Sequence, residues 1–544
     1  MASDSGAGQN QQAPASPRTP TAVGDAPTYR ERVRAEWGHL RLWDYLRYDD
    51  QGDLWINQLR VIDAVRAYGT PLEIADSTIV ERRCREWRKL AEGIAQEVGY
   101  EGRLNYLYAA KANMASEITH AAYRSGWQAE TSAGQDLRHL EWLHGQGLLP
   151  PDFRVVCNGF KLPESRLVAP PSDATGLTDA ALLPPESERH LRRNAPYAET
   201  ILHLARQGWR ITPVLDAGEL ESFVGADRPR MEVGLRLKFG KVHSLWELEG
   251  HVSRFGQDLD ALRRTADAIA ASPNLSFTML HAMTGAAETI PVESLADSLL
   301  LAGRVWAALR QEHPSLRELN IGGGIPPLGE PYDHAALLRR VLGGLQSIAA
   351  AEGVPPPELT FEFGSYVAAE AGFHVFKVLQ RKANHRDPDH SEPDVPWAII
   401  DGGLMAAIPD MLLIHHPFRF LAVTGANGPA GPVILGDITC DSDGRYPPDD
   451  FPAGSEVWLP LAADGDEAYV LIHGVGAYQE ILAGVRGAHH CGLLEAVELI
   501  VERGADGQLR GRLDPRQTPV EAARILGYIP EAAEGLRRTL GLDG

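Results

Sequence analysis

From residue 104 onward, short apolar runs alternate with longer amphipathic stretches. Runs of strand length fall at Leu104–Ala110, Phe153–Cys157, Ile211–Leu215, Glu232–Leu237, Ser276–Leu280, Glu318–Ile321 and Glu358–Phe361. Between most of them lie segments with apolar residues at helical spacing: Met114–Ser125, Ala133–Gly145, Tyr197–Gln207, Asp258–Ala271 and Val292–Gln311. A short apolar run bounded by turn residues reads as a buried strand, and the 3.6-residue period reads as a helix lying on it. Seven or eight such units in succession predict an α/β fold, a closed (β/α)8 TIM barrel.

Near Ala371 the alternation stops. Short apolar runs with turn-rich joins follow, at Phe373–Leu379, Trp397–Ile400, Phe420–Val423, Pro432–Leu435, Glu456–Leu459 and Ala468–Ile472. They predict a C-terminal antiparallel β-domain. Upstream of the barrel, helical patterns occur around Trp55–Tyr68 and Ser77–Val98. Residues 1–28 are Ala, Ser, Pro, Gln and Gly with almost no large apolar groups, the composition of a disordered tail. The predicted organisation is therefore a tail over 1–28 and a helical segment contributing to the β-domain over 29–103. The barrel follows over 104–370, and the β-domain with terminal helices over 371–544. Pro170–Arg193 and Ala383–Pro396 read as surface insertions.

Composition narrows the function. A length of 544 residues is enough for about two to four domains. The formal charge of −21, with no basic stripe, argues against a nucleic-acid partner. Cys84, Cys157, Cys440 and Cys491 lie far apart without CxxC spacing, which fits reduced thiols in a cytoplasmic protein. No apolar stretch has the length of a membrane span, and the N-terminus lacks the apolar core of a signal peptide, so a soluble cytoplasmic protein is expected.

Candidate chemistry gathers at strand ends. Lysine is scarce, and Lys111 closes the run Leu107-Tyr108-Ala109-Ala110-Lys111 where a barrel enzyme places its reactive groups. Apolar surroundings there are expected to lower its pKa and give a nucleophilic amine; a snorkelling lysine is the structural alternative. Gly322-Gly323-Gly324 follows another strand and offers backbone amides to an anion, or makes a plain turn. Glu362 ends a third strand, where a carboxylate can keep a ring nitrogen protonated, or simply face water. Cys440-Asp441 suits proton delivery and recognition of a cation, or an ordinary loop. Tyr478 follows the strand Ala468–Ile472 and can reach a phosphate, or fill the core.

The order of these elements resembles the fold type III pyridoxal-phosphate enzymes, the ornithine, diaminopimelate and arginine decarboxylases that share the alanine-racemase barrel. Within that group it looks most like biosynthetic arginine decarboxylase. Cys157-Asn158-Gly159-Phe160-Lys161, Ile408-Pro409-Asp410, Cys440-Asp441-Ser442 and Val475-Gly476-Ala477-Tyr478-Gln479-Glu480-Ile481-Leu482 carry the likeness. The resemblance implies decarboxylation of a basic L-amino acid, arginine first, with pyridoxal 5'-phosphate held covalently by Lys111. It implies that Glu362 pairs with the pyridinium, and that Gly322, Gly323, Gly324 and Tyr478 bind the phosphate. Glu130 and Arg236 match groups that support the lysine and the ring. Cys440, as proton donor, and Asp441, as partner of the substrate's distal cation, are implied to serve the other subunit of a homodimer. Two departures mark a divergent member. Met283-Thr284-Gly285-Ala286 stands where the family has His-x-Gly-Ser, although His281 sits two positions earlier on the same strand face. Glu362-Phe363-Gly364-Ser365 stands where it has Glu-x-Gly-Arg. They keep open a racemase, epimerase or aldolase acting at Cα, and a regulatory homologue without activity.

Overall fold

The structure, a computed structural model, describes residues 27–161, 197–242, 245–248, 253–283, 290–383, 395–452, 454–461, 467–485, 487, 489–504 and 506–528. The insertion expected at 170–193, most of that at 383–396 and nearly all of the N-terminal tail lie outside these residues.

Eight parallel strands close a barrel in chain order: Leu104–Ala109, Gln128–Thr131, Arg154–Cys157, Arg210–Leu215, Met231–Arg236, Leu275–His281, Glu318–Asn320 and Glu358–Phe363. The eighth pairs back on the first, with Phe361 opposite Tyr106. The second strand has no apolar run to announce it: Ala129 is its only apolar residue, yet Ala129, Glu130 and Thr131 are all buried. Strand alternation decides what points inward. On the eighth strand Phe361 and Phe363 pack outward on Trp87, at ring separations of 5.4 and 4.6 Å. Thr360 and Glu362 must therefore face the barrel axis. Leu107, Val156, Val214 and Met279, from four different strands, form a fully buried cluster of their own that fills the interior.

Trp87 belongs to the helix Ser77–Val98, capped by the Asp76 carboxylate accepting from the Thr78 amide and ended by Gly99 at φ +67. Its buried positions Val80, Cys84, Trp87, Ala91 and Ile94 recur every three to four residues, the apolar stripe of a docked helix. Just before it, Leu72–Asp76 is a fully buried strand, not part of a purely helical segment. It pairs antiparallel with Gly372–Lys382 and parallel with Val497–Arg503. The helix expected over 55–68 is real only for Val61–Tyr68; Leu54–Ile56 and Leu59–Arg60 pair as strands, turned at Asn57 with φ +50. The β-domain is a ten-stranded sheet, antiparallel apart from Leu72–Asp76 with Val497–Arg503 and Trp397–Ile400 with Ala430–Gly436.

Two histidines in this sheet tie stability to pH. His374 is buried, with neither ring nitrogen hydrogen-bonded among the described residues, and burial pushes it down to about 4. His473, 2.6 Å from the Tyr45 hydroxyl, is pushed down to about 3 by burial and by Arg419. Both bind protons more weakly folded than unfolded, where the reference is about 6.5. The stability they provide is therefore whole above that value and is lost as pH falls toward 4. Between pH 7 and 5 the loss is about 2 kcal/mol per histidine. Urea unfolding should show the decline, and His374→Phe should flatten it by about half; an identical slope in the variant would contradict the assignment.

Candidate active site

Lys111, Glu130, Arg236, Glu362 and the Gly322–Gly324 turn lie at the C-terminal strand ends, with Tyr478 reaching in from the β-domain; Cys440 and Asp441 lie elsewhere. Lys111 sits in a single 3-10 turn, Ala110–Ala112, directly after the first barrel strand. Its ammonium lies 3.2 Å from the carboxylate of Glu130, the last residue but one of the second strand. Glu130 also accepts from Ser132 Oγ at 3.0 Å and Asn158 Nδ2 at 3.1 Å. Glu362 accepts from Asn158 Nδ2 at 2.7 Å, Asn320 Nδ2 at 2.6 Å and His281 Nε2 at 3.2 Å. Four barrel strands thus supply Glu130, His281, Asn320 and Glu362, with Lys111 above them.

The electrostatics separate two carboxylates. Burial opposes a charge on Glu362, but His281, the Lys111 ammonium and the Asn320 amide outweigh it and hold the carboxyl down at about 2. Glu130, fully enclosed, is pushed up by burial and by Glu362, with Lys111 pulling the other way. Burial lowers His281, while the Glu362 carboxylate it faces pulls the other way. Lys111 corrects the sequence expectation. Burial would lower it, but Glu130, Glu362 and Tyr478 together raise it, so the amine is a stabilised ammonium. Burial does lower a lysine elsewhere: Lys161, enclosed by the carbonyls of Gly159 and Val214 and by Glu219, has no free approach for a substrate.

Opposite Lys111 the glycine turn is built for close approach. Gly322 and Gly324 hold φ of +67 and +82, conformations that side chains rarely adopt. A Cβ on Gly323 would stand 2.2 Å from the Glu362 carbonyl oxygen. The Gly322 amide donates to Asn320 Oδ1 at 2.9 Å, and the Gly323 amide to Met283 Sδ at 3.3 Å. Met283 therefore lies on the glycine turn; residues 284–286 of its motif lie outside the described residues. The β-domain reaches in from above. The Tyr478 amide donates to the Ala112 carbonyl at 2.8 Å, and Asn113 Nδ2 donates to the Gly476 carbonyl at 3.1 Å. The Tyr478 hydroxyl lies 3.4 Å from where a Gly364 Cβ would be, next to Ser365. Arg236 ends the fifth strand level with His281, its guanidinium 4.4 Å from the Phe255 ring centre.

No family model matches the chain. It is 27% identical over 373 residues to diaminopimelate decarboxylase of Vibrio cholerae, across 66% of this chain and 74% of that protein. To biosynthetic arginine decarboxylase of Thermosynechococcus vestitus it is 24% identical over 350 residues, 61% of this chain and 50% of that one. The chain thus spans about half the length of the arginine enzyme it matches. The crystal structure of biosynthetic arginine decarboxylase from Campylobacter jejuni superposes with a TM-score of 0.71 at 16% identity, over 95% of each chain. The chain has the fold of the fold type III decarboxylases. Among these relatives it is a divergent one.

In this decarboxylase fold, Cys440 and Asp441 have no contact with Lys111 in their own chain. They stand on an exposed loop after the strand Ala430–Gly436, Cys440 Sγ being 3.5 Å from Cys491 Sγ and Asp441 Oδ2 3.8 Å from His490 Nε2. The sequence reading overlooked Asn158 and Asn320 as site residues. Each immediately follows or ends a barrel strand, and a polar residue at that position was the available signal.

Proposed function

We propose that this chain decarboxylates a basic L-amino acid, arginine in first place, with pyridoxal phosphate as its cofactor. The observation that carries the reading is a buried carboxylate, Glu362, kept anionic among three donors within electrostatic reach of Lys111. The mouth fits that cofactor in three respects. Glu362 can hold a ring nitrogen in its protonated form. The Gly322–Gly324 turn has no room for side chains, and among the described residues its Gly323 amide is held by a thioether alone, a weak acceptor that a phosphate oxygen displaces. Tyr478 brings its hydroxyl to the Gly364–Ser365 corner, where the absence of an arginine leaves the phosphate to neutral donors. When bound, the cofactor supplies an electron sink for the pair left at Cα as CO2 departs.

The chain's own groups do the rest. Lys111 attaches the cofactor and must first lose a proton. Glu130, 3.2 Å away, holds that nitrogen in place at the mouth. Arg236, beside His281, supports the ring end of the site. Cys440 and Asp441 are exposed on the β-domain and serve the site of a second copy in a homodimer, Cys440 returning a proton to the substrate carbon and Asp441 facing its distal cation. That arrangement leaves both residues free of their own Lys111, as they are here.

Incubating the cofactor-loaded protein in heavy water with a mixture of basic and neutral amino acids tests the reading. Mass spectrometry should find an amine carrying one deuterium, from a basic substrate. Recovered amino acid deuterated at Cα, without amine, would instead make Met283 the mark of proton-transfer chemistry and sink the decarboxylase.

A further inference from the structure

Two loops of the β-domain bring soft donor atoms together on the surface. Cys440, His490 and Cys491 each present one donor atom, and all three lie within 4.8 Å of one another on the surface. The sulfur atoms are 3.5 Å apart, and Asp441 Oδ2 stands 3.8 Å from His490 Nε2. A disulfide would need a separation of about 2.05 Å. Two thiolates on one tetrahedral zinc, each at about 2.3 Å, sit about 3.8 Å apart. The observed spacing is close to that edge. We propose that Cys440, Cys491 and His490 form a binding site for a soft divalent cation, zinc in first place, with the fourth position left to water.

The approach of the two loops is built in. On one side, Asp437 accepts from the Thr439 amide and hydroxyl through Oδ1, at 2.8 and 2.6 Å, and from the Leu404 amide through Oδ2 at 2.8 Å. On the other, His489 Nε2 lies 3.2 Å from the Gly484 carbonyl, and Gln517 Nε2 donates to the Gly487 carbonyl at 2.8 Å. The loops share a footing at Gly403, where an added Cβ would meet Leu493 Cδ1 at 3.3 Å and Thr439 Cγ2 at 3.8 Å. Cys491 itself sits at φ +57, a left-handed conformation that a residue with a side chain holds only where its surroundings impose it. Thiolate and imidazole donors select zinc over magnesium or calcium. Each thiol loses its proton on binding, so affinity rises with pH.

The consequence for turnover rests on the proposed function. Cys440 bound to a metal cannot deliver a proton, so zinc inhibits decarboxylation through this site. The test uses the full chain, reduced and loaded with pyridoxal phosphate, dialysed against zinc chloride and analysed for retained metal. About one zinc per chain is expected, falling below about a fifth of that in Cys491→Ser and in His490→Ala. Zinc should protect Cys440 and Cys491 together from iodoacetamide, read by peptide mass spectrometry. Without zinc, Cys491→Ser should turn over substrate normally, and added zinc should no longer inhibit it. No retained zinc, metal binding unaltered in both variants, or alkylation indifferent to zinc would each overturn the site. Stoichiometric zinc on a chain that decarboxylates nothing would leave the site standing and remove the proposed function.

Discussion

Lys111→Ala lowers turnover on the order of a thousandfold or more, equivalent to about 4 kcal/mol in the barrier, while the chain stays folded. The amine stands at the mouth where it can attach a carbonyl cofactor, and the buried Lys161 cannot replace it, being sealed by two carbonyls and Glu219. The structural cost is small, about 1 kcal/mol, because the Lys111 side chain is nearly half exposed and its pairing with Glu130 is partly screened. Losing the ammonium leaves Glu130 and Glu362 facing each other, and Glu130, already pushed up by burial, responds by taking a proton. Two measurements separate chemistry from folding. Borohydride should fix pyridoxal phosphate on the peptide carrying Lys111 in the native chain and on no peptide of the variant. Circular dichroism and the urea midpoint should be nearly unchanged. Retained activity in a folded Lys111→Ala protein would dismiss the lysine from its role.

The barrel was legible wherever a strand carries a mostly apolar run. Arg210–Leu215 and Leu275–His281 alternate side chains between the filled interior and the helices outside, so their sequences read as nearly continuous buried runs. Gln128–Thr131 was silent because the barrel uses its inward position for Glu130 instead of an aliphatic residue. The same cause hid Asn158 and Asn320, whose amides matter through partners on other strands, 28 to 204 residues away. Leu72–Asp76 reads as a lead-in to a helix, and only its pairing with strands near residues 372 and 497 makes it the middle of a sheet. The raised proton affinity of Lys111 was likewise beyond local reading, since an apolar sequence neighbourhood says nothing of carboxylates delivered by other strands. The glycine turn and Tyr478 could be singled out from sequence because their motifs are contiguous.

Glu362→Gln lowers turnover on the order of a hundred- to ten-thousandfold with little effect on cofactor attachment at Lys111. The carboxylate matters for its charge. It stays ionised far below neutral pH because His281, Lys111 and Asn320 favour the anion, and a neutral amide cannot hold a ring nitrogen protonated. The substitution also misfits locally. Glu362 accepts from Asn158, Asn320 and His281 and donates to none of them. A glutamine puts an NH2 group against at least one of these donors, at a cost of about 1–3 kcal/mol for the unpaired group. The sign of the pH effect follows from the lowered carboxyl. Its contribution to stability is present above the unfolded value near 4.5 and is lost as pH falls toward 2, so the variant should lose stability at pH 7 and converge on the native chain in acid. Glu362→Asp keeps the charge on a shorter arm and should restore part of the turnover that glutamine loses. If glutamine and aspartate are equally impaired, position outweighs charge. If glutamine keeps full turnover, the anion at the base of this mouth has no part in the reaction.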